Sequence, residues 1–404
     1  MGYLKNRRIE QGEMDFSAPG CHAVCPTCVG TPGLARFVEN NADESECTFC
    51  QRPGDAEFAA NTDVILQHIS SSVRAAWSLA IEELAHDSES VTGYAGKTID
   101  FEDLLYEEGV EPANQHFHQF LIDAFRDAGP WCNRSYAALD EGDALNFGWE
   151  NLVDTVKHKQ RFFFDLESHQ DDREPGVEVL YGRQLLARLA ELIRQYKLVK
   201  TLHADTHLYR CRVHPADEAY STAQTLGSPP PHLAKQSRMS PAGIPMFYAA
   251  SSAGAALAET PNDHQQIATI ATFRVASRCR VIDLARIPEP PDIFEDAPST
   301  TIKRHELGFL HGFSKAVSGP VDDPVRVHID YVPSQVVAEY LRHVFRDDHG
   351  RPVHGIRWRS AKQPKASCVV LFLQASQCLD LTADAPDEPM PFVQLIAAKR
   401  LVLS

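Results

Sequence analysis

The middle of the chain, from about residue 56 to 205, has the hydrophobic spacing of amphipathic helices. Apolar residues that recur every three or four positions form one side of a helix, so each such series predicts a helix with one buried face. The first series follows a Thr62/Asp63 cap, and the second ends at Gly129-Pro130. The three series are Ile65, Ile69, Val73, Trp77, Ile81 and Leu84; Phe117, Phe120, Leu121, Ala124 and Phe125; and Leu185, Leu189, Leu192, Ile193 and Tyr196. Together they predict an all-α bundle.

After residue 205 the pattern changes to short apolar runs between links rich in proline and glycine, which predicts buried strands. The predicted strands are 244–250, 268–275, 280–284 and 368–373. Two short helices, 253–260 and 334–345, interrupt these strands, so this part of the chain belongs to the α+β class. The stretch 286–299 is rich in proline and acidic residues and predicts a loop or lid.

A basic cluster abuts an aromatic run inside the helical part. Lys157-His158-Lys159-Gln160-Arg161 is followed directly by Phe162-Phe163-Phe164. The first interpretation is a solvated helix face next to phenylalanines of the core. The alternative is a surface on which RNA bases stack.

Composition and charge narrow the class of protein. The 404 residues are enough for two or three domains, since single cores stop growing near roughly 250 residues. The chain is 43% hydrophobic and 23% charged, as is typical of soluble globular proteins. It has no apolar run long enough for a membrane helix and no apolar signal region, which predicts a cytoplasmic protein. The net charge of −16 repels phosphate backbones and argues against a nucleic-acid partner.

The cysteines are concentrated near the N-terminus in a metal-binding spacing. Cys25 and Cys28 form one CxxC pair, and Cys47 and Cys50 form a second after eighteen intervening residues. Two such pairs complete a tetrahedral set of four thiolates, so the spacing predicts one structural Zn²⁺. With four protein ligands, this zinc would keep no open position for catalysis. Cys21 and His22 are alternative ligands because they lie close to Cys25.

Polar residues beside the predicted strands carry a resemblance to the RES family, named for its Arg, Glu and Ser. The stretch Arg238–Pro245 with Tyr248, the step Ala-Leu-Ala-Glu259, and Gly355–Ser360 before an apolar strand are similar to that family's pattern. Tyr331-Val332-Pro333-Ser334-Gln335 resembles a further landmark. The resemblance covers about residues 205 to 400. In the first strand, 208–212, either Arg210 or Arg212 matches the family's pocket arginine.

The helical segment is similar to the HEPN-like region that precedes some RES domains, often behind a zinc knuckle. HEPN ribonucleases use an Arg-x(4–6)-His motif. Between residues 56 and 205 the nearest pair, Arg161 and His169, is separated by seven residues, so ribonuclease activity is not predicted. The expected order is a zinc ribbon (1–55), an all-α HEPN-like bundle (56–205) and an ADP-ribosyltransferase-like α+β RES domain (206–404).

The resemblance implies an enzyme that degrades NAD⁺ by hydrolysis or phosphorolysis, as a toxin restrained by an antitoxin. A fixed carboxylate can stabilise the oxocarbenium-like ribose that forms when nicotinamide leaves, and Glu259 is the candidate. Arg238 and the pair Arg210/Arg212 are expected to bind the pyrophosphate or an incoming phosphate. Tyr248 is expected to face the nicotinamide, and Ser360 to donate a hydrogen bond to a ribose hydroxyl or phosphate.

Two other readings use the same residues. An ADP-ribosyltransferase that modifies a macromolecule would need the same pocket and carboxylate. Alternatively, the chain is a zinc-ribbon and helical interaction module with a catalytically silent C-terminal domain. The expected partners are NAD⁺ and an antitoxin or other regulatory protein, without a membrane; self-association is left open.

Overall fold

The computed structural model describes residues 15–17, 20–134, 141–163, 180–260, 267–295, 300–319, 324–383 and 391–403. The chain forms two compact units. The first comprises residues 1–143, 175–178 and 289–306, and the second comprises residues 144–174, 179–288 and 307–404. None of the helices in the described ranges combines the length and the apolar character needed to cross a bilayer.

The first unit is mainly helical. Its helices are α1 (Pro26–Val29), α2 (Pro32–Asn40), α3 (Thr62–Ala76), α4 (Ala80–Glu83), α5 (Phe101–Glu107) and α6 (Gln115–Phe125), which a 3₁₀ turn, Arg126–Ala128, extends. Its strands form two small antiparallel sheets, β1 (Ala23–Val24) with β2 (Ala60–Asn61), and β3 (Trp77–Leu79) with β4 (Trp131–Asn133). Helix α7 (Glu141–Asp154) belongs to the second unit from residue 144 onward and continues there into a π-helical turn, Thr155–Lys159.

The first predicted helix is shorter than its hydrophobic pattern. Asn61, and not Thr62 or Asp63, caps α3 by accepting a hydrogen bond from the Asp63 N–H. The helix ends at Ala76 because Trp77–Leu79 pairs with Trp131–Asn133, which converts the next three residues into a buried strand. Tertiary pairing therefore overrides the helical period, and this part of the chain is not all-α. The second and third predicted helices are confirmed.

The first unit incorporates a segment from far along the sequence, residues 289–306. Ile293 and Phe294 are buried in its hydrophobic core. Asp292 accepts hydrogen bonds from the backbone N–H groups of Gly33 and Phe294. A Cβ at Gly33 would overlap the Asp292 carboxylate. The proline-rich stretch is thus a loop as predicted over residues 286–295, but its tip is part of a core; residues 296–299 lie outside the described residues.

Substitution of Asp292 should destabilise the first unit. Asp292→Ala is expected to lower the free energy of unfolding by roughly 1–3 kcal/mol, because the buried Gly33 N–H loses its acceptor. Glu295→Ala is the matched control: it removes only an ion pair with Arg36 between side chains that are 38% and 56% exposed, which is worth about 0–1 kcal/mol. Chemical denaturation of both variants measures the difference. Equal stability of the two would contradict the role of Asp292.

The second unit is built on one nine-stranded sheet with the order β12-β13-β8-β6-β7-β11-β10-β9-β5. The strands are β5 (Val199–Leu202), β6 (His207–His214), β7 (Phe247–Ala250), β8 (Ile267–Val275), β9 (Cys279–Asp283), β10 (Gly355–Arg359), β11 (Ser367–Leu371), β12 (Cys378–Asp380) and β13 (Val393–Val402). The pairs β9–β10 and β12–β13 are parallel, and the other neighbouring pairs are antiparallel.

Both faces of this sheet are apolar. Alternation along β7 and β11 sends Ala250 and Val370 to one core, and Phe247 and Leu371 to the other. The helices are α8 (Gly182–Gln195), α9 (Ala223–Leu226), α10 (Ala253–Glu259), α11 (Thr300–Ser318), α12 (Val327–Asp330) and α13 (Val332–His343), with 3₁₀ turns at Pro231–Leu233, Pro324–Arg326 and Ala375–Gln377. The larger core contains apolar residues of α8, α10, α11 and α13. The protein is therefore of mixed α+β class.

Two sequence-based expectations for this unit are wrong. The sequence predicts two short helices between the strands, 253–260 and 334–345, and this prediction omits α11, a helix of 19 residues. Phe162 and Phe163 are not core residues, because 85% and 67% of their surfaces are exposed. Phe164 lies outside the described residues.

Candidate functional site

The four cysteines of the two CxxC pairs lie together in the first unit. Cys25 and Cys28 flank the start of α1, and Cys47 and Cys50 are held in a turn in which the Gln51 N–H donates to the Cys47 carbonyl. All four Sγ atoms lie within 4.8 Å of one another. Cys25 and Cys28 are buried and Cys50 is half-buried. Burial raises the pKa of the Cys28 thiol.

The arrangement fits a tetrahedral metal ion. The Sγ atoms of Cys25 and Cys50 are 3.8 Å apart, as are those of Cys28 and Cys47. A zinc ion with sulfur ligands at about 2.3 Å requires a sulfur–sulfur edge of about 3.8 Å, whereas a disulfide would require about 2.05 Å. The cluster therefore has the dimensions of a metal site. Cys21 and His22 are not among its members.

In the second unit a cleft of about 680 Å³ opens beside β6 and β7. This volume lies in the range of small-molecule sites. Arg210 and Arg212, two positions apart on β6, both line the cleft, as do Tyr248 of β7 and Thr260. Alternate residues of a strand share a face, which places both arginines on the same side of β6.

Arg210 is a desolvated cation. Its Nη1 donates to the Tyr248 carbonyl at 2.9 Å, its guanidinium lies 5.5 Å from the Phe247 ring centroid, and its buried Nε has no hydrogen-bond partner. Burial and the charge of Arg212 lower the pKa of Arg210 to about 10, so it stays protonated at neutral pH. Burial also lowers the pKa of Arg212. Within the described ranges neither guanidinium forms an ion pair with a carboxylate. The cleft wall thus offers uncompensated positive charge.

Tyr248 joins the cleft wall to the turn that carries Arg238. Its hydroxyl accepts the Met239 N–H at 3.0 Å and lies 3.0 Å from the Ser240 Oγ. Burial raises the pKa of Tyr248. The hydroxyl is therefore occupied by the turn, and Tyr248 is among the residues that line the cleft.

Arg238 belongs to the same turn as the cleft-lining Ser237 and Ser240 but is not itself among the cleft-lining residues. Its Nη1 donates to the Gly319 carbonyl, and its guanidinium lies 5.7 Å from the centroid of the Tyr331 ring.

Glu259 and Ser360 meet although 101 positions separate them. Glu259 ends α10, which Ser252 caps, and Ser360 follows β10. The Ser360 hydroxyl donates to the Glu259 Oε1 at 2.6 Å and accepts the N–H groups of Lys362 and Gln363 at 3.2 and 3.0 Å. Ser360 is buried and Glu259 is half-buried. The Ser360 hydroxyl is thus directed at the Glu259 carboxylate.

Sequence reasoning missed Cys368, whose thiol contacts both Ser360 and Glu259. Burial and the Glu259 charge raise the pKa of Cys368 to about 12, so the thiol stays neutral. Cys368 begins an apolar run, which predicts a strand but does not reveal its contact with Ser360 and Glu259. Sequence reasoning also named Ser334 and Gln335 only as a landmark; both prove to hold the Arg238 turn.

Family models match most of the chain. Residues 40–170 match HEPN/RES N-terminal domain 1, and residues 207–393 match the RES domain. Both resemblances found in the sequence are confirmed, and all six candidate residues of the cleft region fall within the RES match. A RES domain is consistent with a function that acts on NAD⁺. No curated protein and no solved structure matches the chain. His169, of the nearest Arg–His pair, lies outside the described residues.

Proposed function

We propose that this chain, with its RES domain behind a HEPN/RES N-terminal domain, is a toxin-like enzyme that breaks the bond between nicotinamide and ribose in NAD⁺. The observation that carries the proposal is a cleft with two arginines and no carboxylate paired to them among the described residues, next to a carboxylate that a serine orients. Thr260, the residue after Glu259, lines the same cleft.

Arg210 and Arg212 are assigned to the pyrophosphate of NAD⁺. A desolvated guanidinium without a partner carries an energetic cost that a bound anion offsets. The planar fork of arginine also matches phosphate oxygens in geometry. The ring of Tyr248 would then face the cationic nicotinamide, as a cation–π contact requires.

Glu259 is assigned to the reacting ribose. In the reaction the bond from the ribose C1′ to the nicotinamide nitrogen breaks, and its electron pair neutralises the ring nitrogen. The oxygen of water, which loses a proton, or of phosphate then bonds to C1′. Positive charge develops on the ribose in between, where a fixed carboxylate lowers the barrier. Ser360 is assigned to holding the carboxylate in place through its hydrogen bond to Glu259, in addition to the expected hydrogen bond to a ribose hydroxyl or phosphate.

Four thiolates suit Zn²⁺ among the common metals, so we assign the Cys25, Cys28, Cys47 and Cys50 cluster to a structural zinc. The ion would fix the local fold of the first unit. A cluster whose four positions are all protein thiolates contributes no open site for chemistry.

The test is to incubate the full chain with NAD⁺, with and without phosphate, and to measure free nicotinamide and the ribose product. Release of ADP-ribose indicates hydrolysis, and release of a phosphorylated ADP-ribose indicates phosphorolysis. When the NAD⁺ carries a label on its ADP-ribose part, transfer of that label to protein indicates ADP-ribosyl transfer. An antitoxin-like regulator, added to the assay, would lower the rate at which each of these products forms. Absence of nicotinamide release under all conditions would contradict the proposal and favour a silent domain.

Substitution of Arg210 should separate function from stability. Arg210→Met is expected to raise the KM for NAD⁺ by roughly tenfold to a hundredfold, as loss of a hydrogen bond to a charged group implies. The fold should not become less stable, because the burial that lowers the Arg210 pKa opposes its charge in the folded state. Arg278→Met, at an exposed arginine outside the cleft, is the control. An unchanged KM in Arg210→Met would remove Arg210 from the site.

A further inference from the structure

The turn that carries Arg238 closes on itself. The Ser237 N–H donates to the Ser240 carbonyl at 2.8 Å, and the Ser240 N–H donates back to the Ser237 carbonyl at 3.2 Å. Both serines line the cleft, and Ser240 is buried. The conformation of this turn therefore sets one wall of the cleft and the direction in which Arg238 leaves the backbone.

The first turn of α13 holds this turn through its side chains. The Gln335 amide donates to the Ser237 carbonyl at 2.9 Å and lies 3.3 Å from the Ser240 carbonyl. The Ser334 Oγ lies 2.5 Å from the Arg238 carbonyl. Ser334 and Gln335 are both buried, so their hydrogen bonds are made away from water.

Tyr331 completes the arrangement from the residue that precedes α13. Its ring lies under the Arg238 guanidinium, and its carbonyl is 2.9 Å from the Ser334 Oγ. All three residues lie at the N-terminal end of α13 and contact the Ser237–Ser240 turn. Gln335 binds the carbonyls at the two ends of the turn, Ser334 binds the Arg238 carbonyl in its middle, and the Tyr331 ring packs against the Arg238 side chain. The Gln335 amide thus bridges the two ends of the turn from a buried position.

We infer that Gln335 is a positioning residue that fixes the Ser237–Ser240 turn and, through it, the place of Arg238 in anion binding. This inference rests on the proposed function and on the sequence-based expectation that Arg238 binds phosphate, since Ser237 and Ser240, at the two ends of the turn that carries Arg238, line the cleft assigned to NAD⁺. Gln335 does not contact the cleft itself; it is absent from the residues that line it.

The experiment is a double-mutant cycle with Gln335→Met, Arg238→Ala and the double variant. Methionine keeps the length and approximate volume of glutamine but donates no hydrogen bond to the two carbonyls. Gln377→Met is the matched control, because the Gln377 amide also donates to a backbone carbonyl, that of Pro391, outside the cleft. For each protein we would measure kcat and KM for NAD⁺, and the affinity for inorganic pyrophosphate by calorimetry.

Gln335→Met is expected to lower kcat/KM by about tenfold, mainly through KM, with a parallel loss of pyrophosphate affinity. In the Arg238→Ala background the same substitution should change either quantity by less than about twofold, because groups that act as one unit are not additive. The Gln377→Met control should match the wild type.

Two results would overturn the inference. One is a folded Gln335→Met protein with wild-type KM and pyrophosphate affinity. The other is an equal loss in both backgrounds, which would mean that Gln335 acts independently of Arg238. If the wild type releases no nicotinamide, the proposed function fails, while the pyrophosphate titrations of the wild type and the four variants still decide the role of Gln335.

Discussion

Glu259→Gln is expected to lower nicotinamide release from NAD⁺ by about 10²–10³-fold, the usual effect of removing one preorganised electrostatic group. The amide oxygen can still accept the Ser360 hydrogen bond, so the variant removes the charge and keeps the shape. Because the charge acts on the transition state, the loss should fall on kcat and kcat/KM alike. Single-turnover measurement of nicotinamide release checks the result.

Two companion variants separate charge from orientation. Ser360→Ala leaves the carboxylate but removes the donor that lies 2.6 Å from its Oε1, so a smaller loss of about tenfold is expected, in line with a hydrogen bond to a charged group. Glu191→Gln, at an exposed glutamate of α8, is the matched control and should not change the rate. A folded Glu259→Gln protein that releases nicotinamide at the wild-type rate would move the active site elsewhere.

The pairing of Glu259 with Ser360 marks the limit of what the sequence predicts. Glu259 could be placed near the end of the predicted helix 253–260, and Ser360 before an apolar strand. Their contact depends on the order of strands in the sheet, in which β7 and β11 lie between β6 and β10. No local signal specifies that order. The resemblance to RES domains named both residues, and the structure adds that the Ser360 hydroxyl donates a hydrogen bond to the Glu259 carboxylate.

Other differences have local causes. Trp77 continues the helical period of α3, but the period cannot reveal that β4 pairs with residues 77–79. Helix α11 contains Gly308 and Gly312, which lower helix propensity, although Leu307, Leu310 and Val317 keep an apolar face. The exposed Phe162 shows the opposite error, because an aromatic run was taken as core.

The spacing of the cysteines, in contrast, predicted a cluster without tertiary information. CxxC pairs bring two thiols together locally, so only one long-range contact is needed to assemble four ligands. That contact is present: Cys25 meets Cys50, and Cys28 meets Cys47. In the first unit, β1 contains Ala23 and Val24, directly before Cys25, and the Ala23 N–H donates to the Thr48 Oγ1 between Cys47 and Cys50. The cysteine cluster and the small β1–β2 sheet are therefore held by neighbouring residues of the chain.

The combined substitution Cys47→Ser and Cys50→Ser should abolish zinc binding and unfold the part of the first unit around the cluster. Structural zinc contributes about 10–16 kcal/mol of apparent binding free energy in small domains, and that energy is gained only on folding. Cys28 and Cys47 are core residues of the first unit. Loss of the metal should therefore also expose the neighbouring buried residues Val24 and Val29 to solvent.

Cys21→Ser is the control, because Cys21 is exposed and outside the cluster. Elemental analysis should give one zinc per chain for the wild type and the control, and none for the double variant. Limited proteolysis should cut only the double variant near α1. A wild-type protein purified without metal, yet resistant to proteolysis there, would show that hydrogen bonds and packing alone hold the four thiols together.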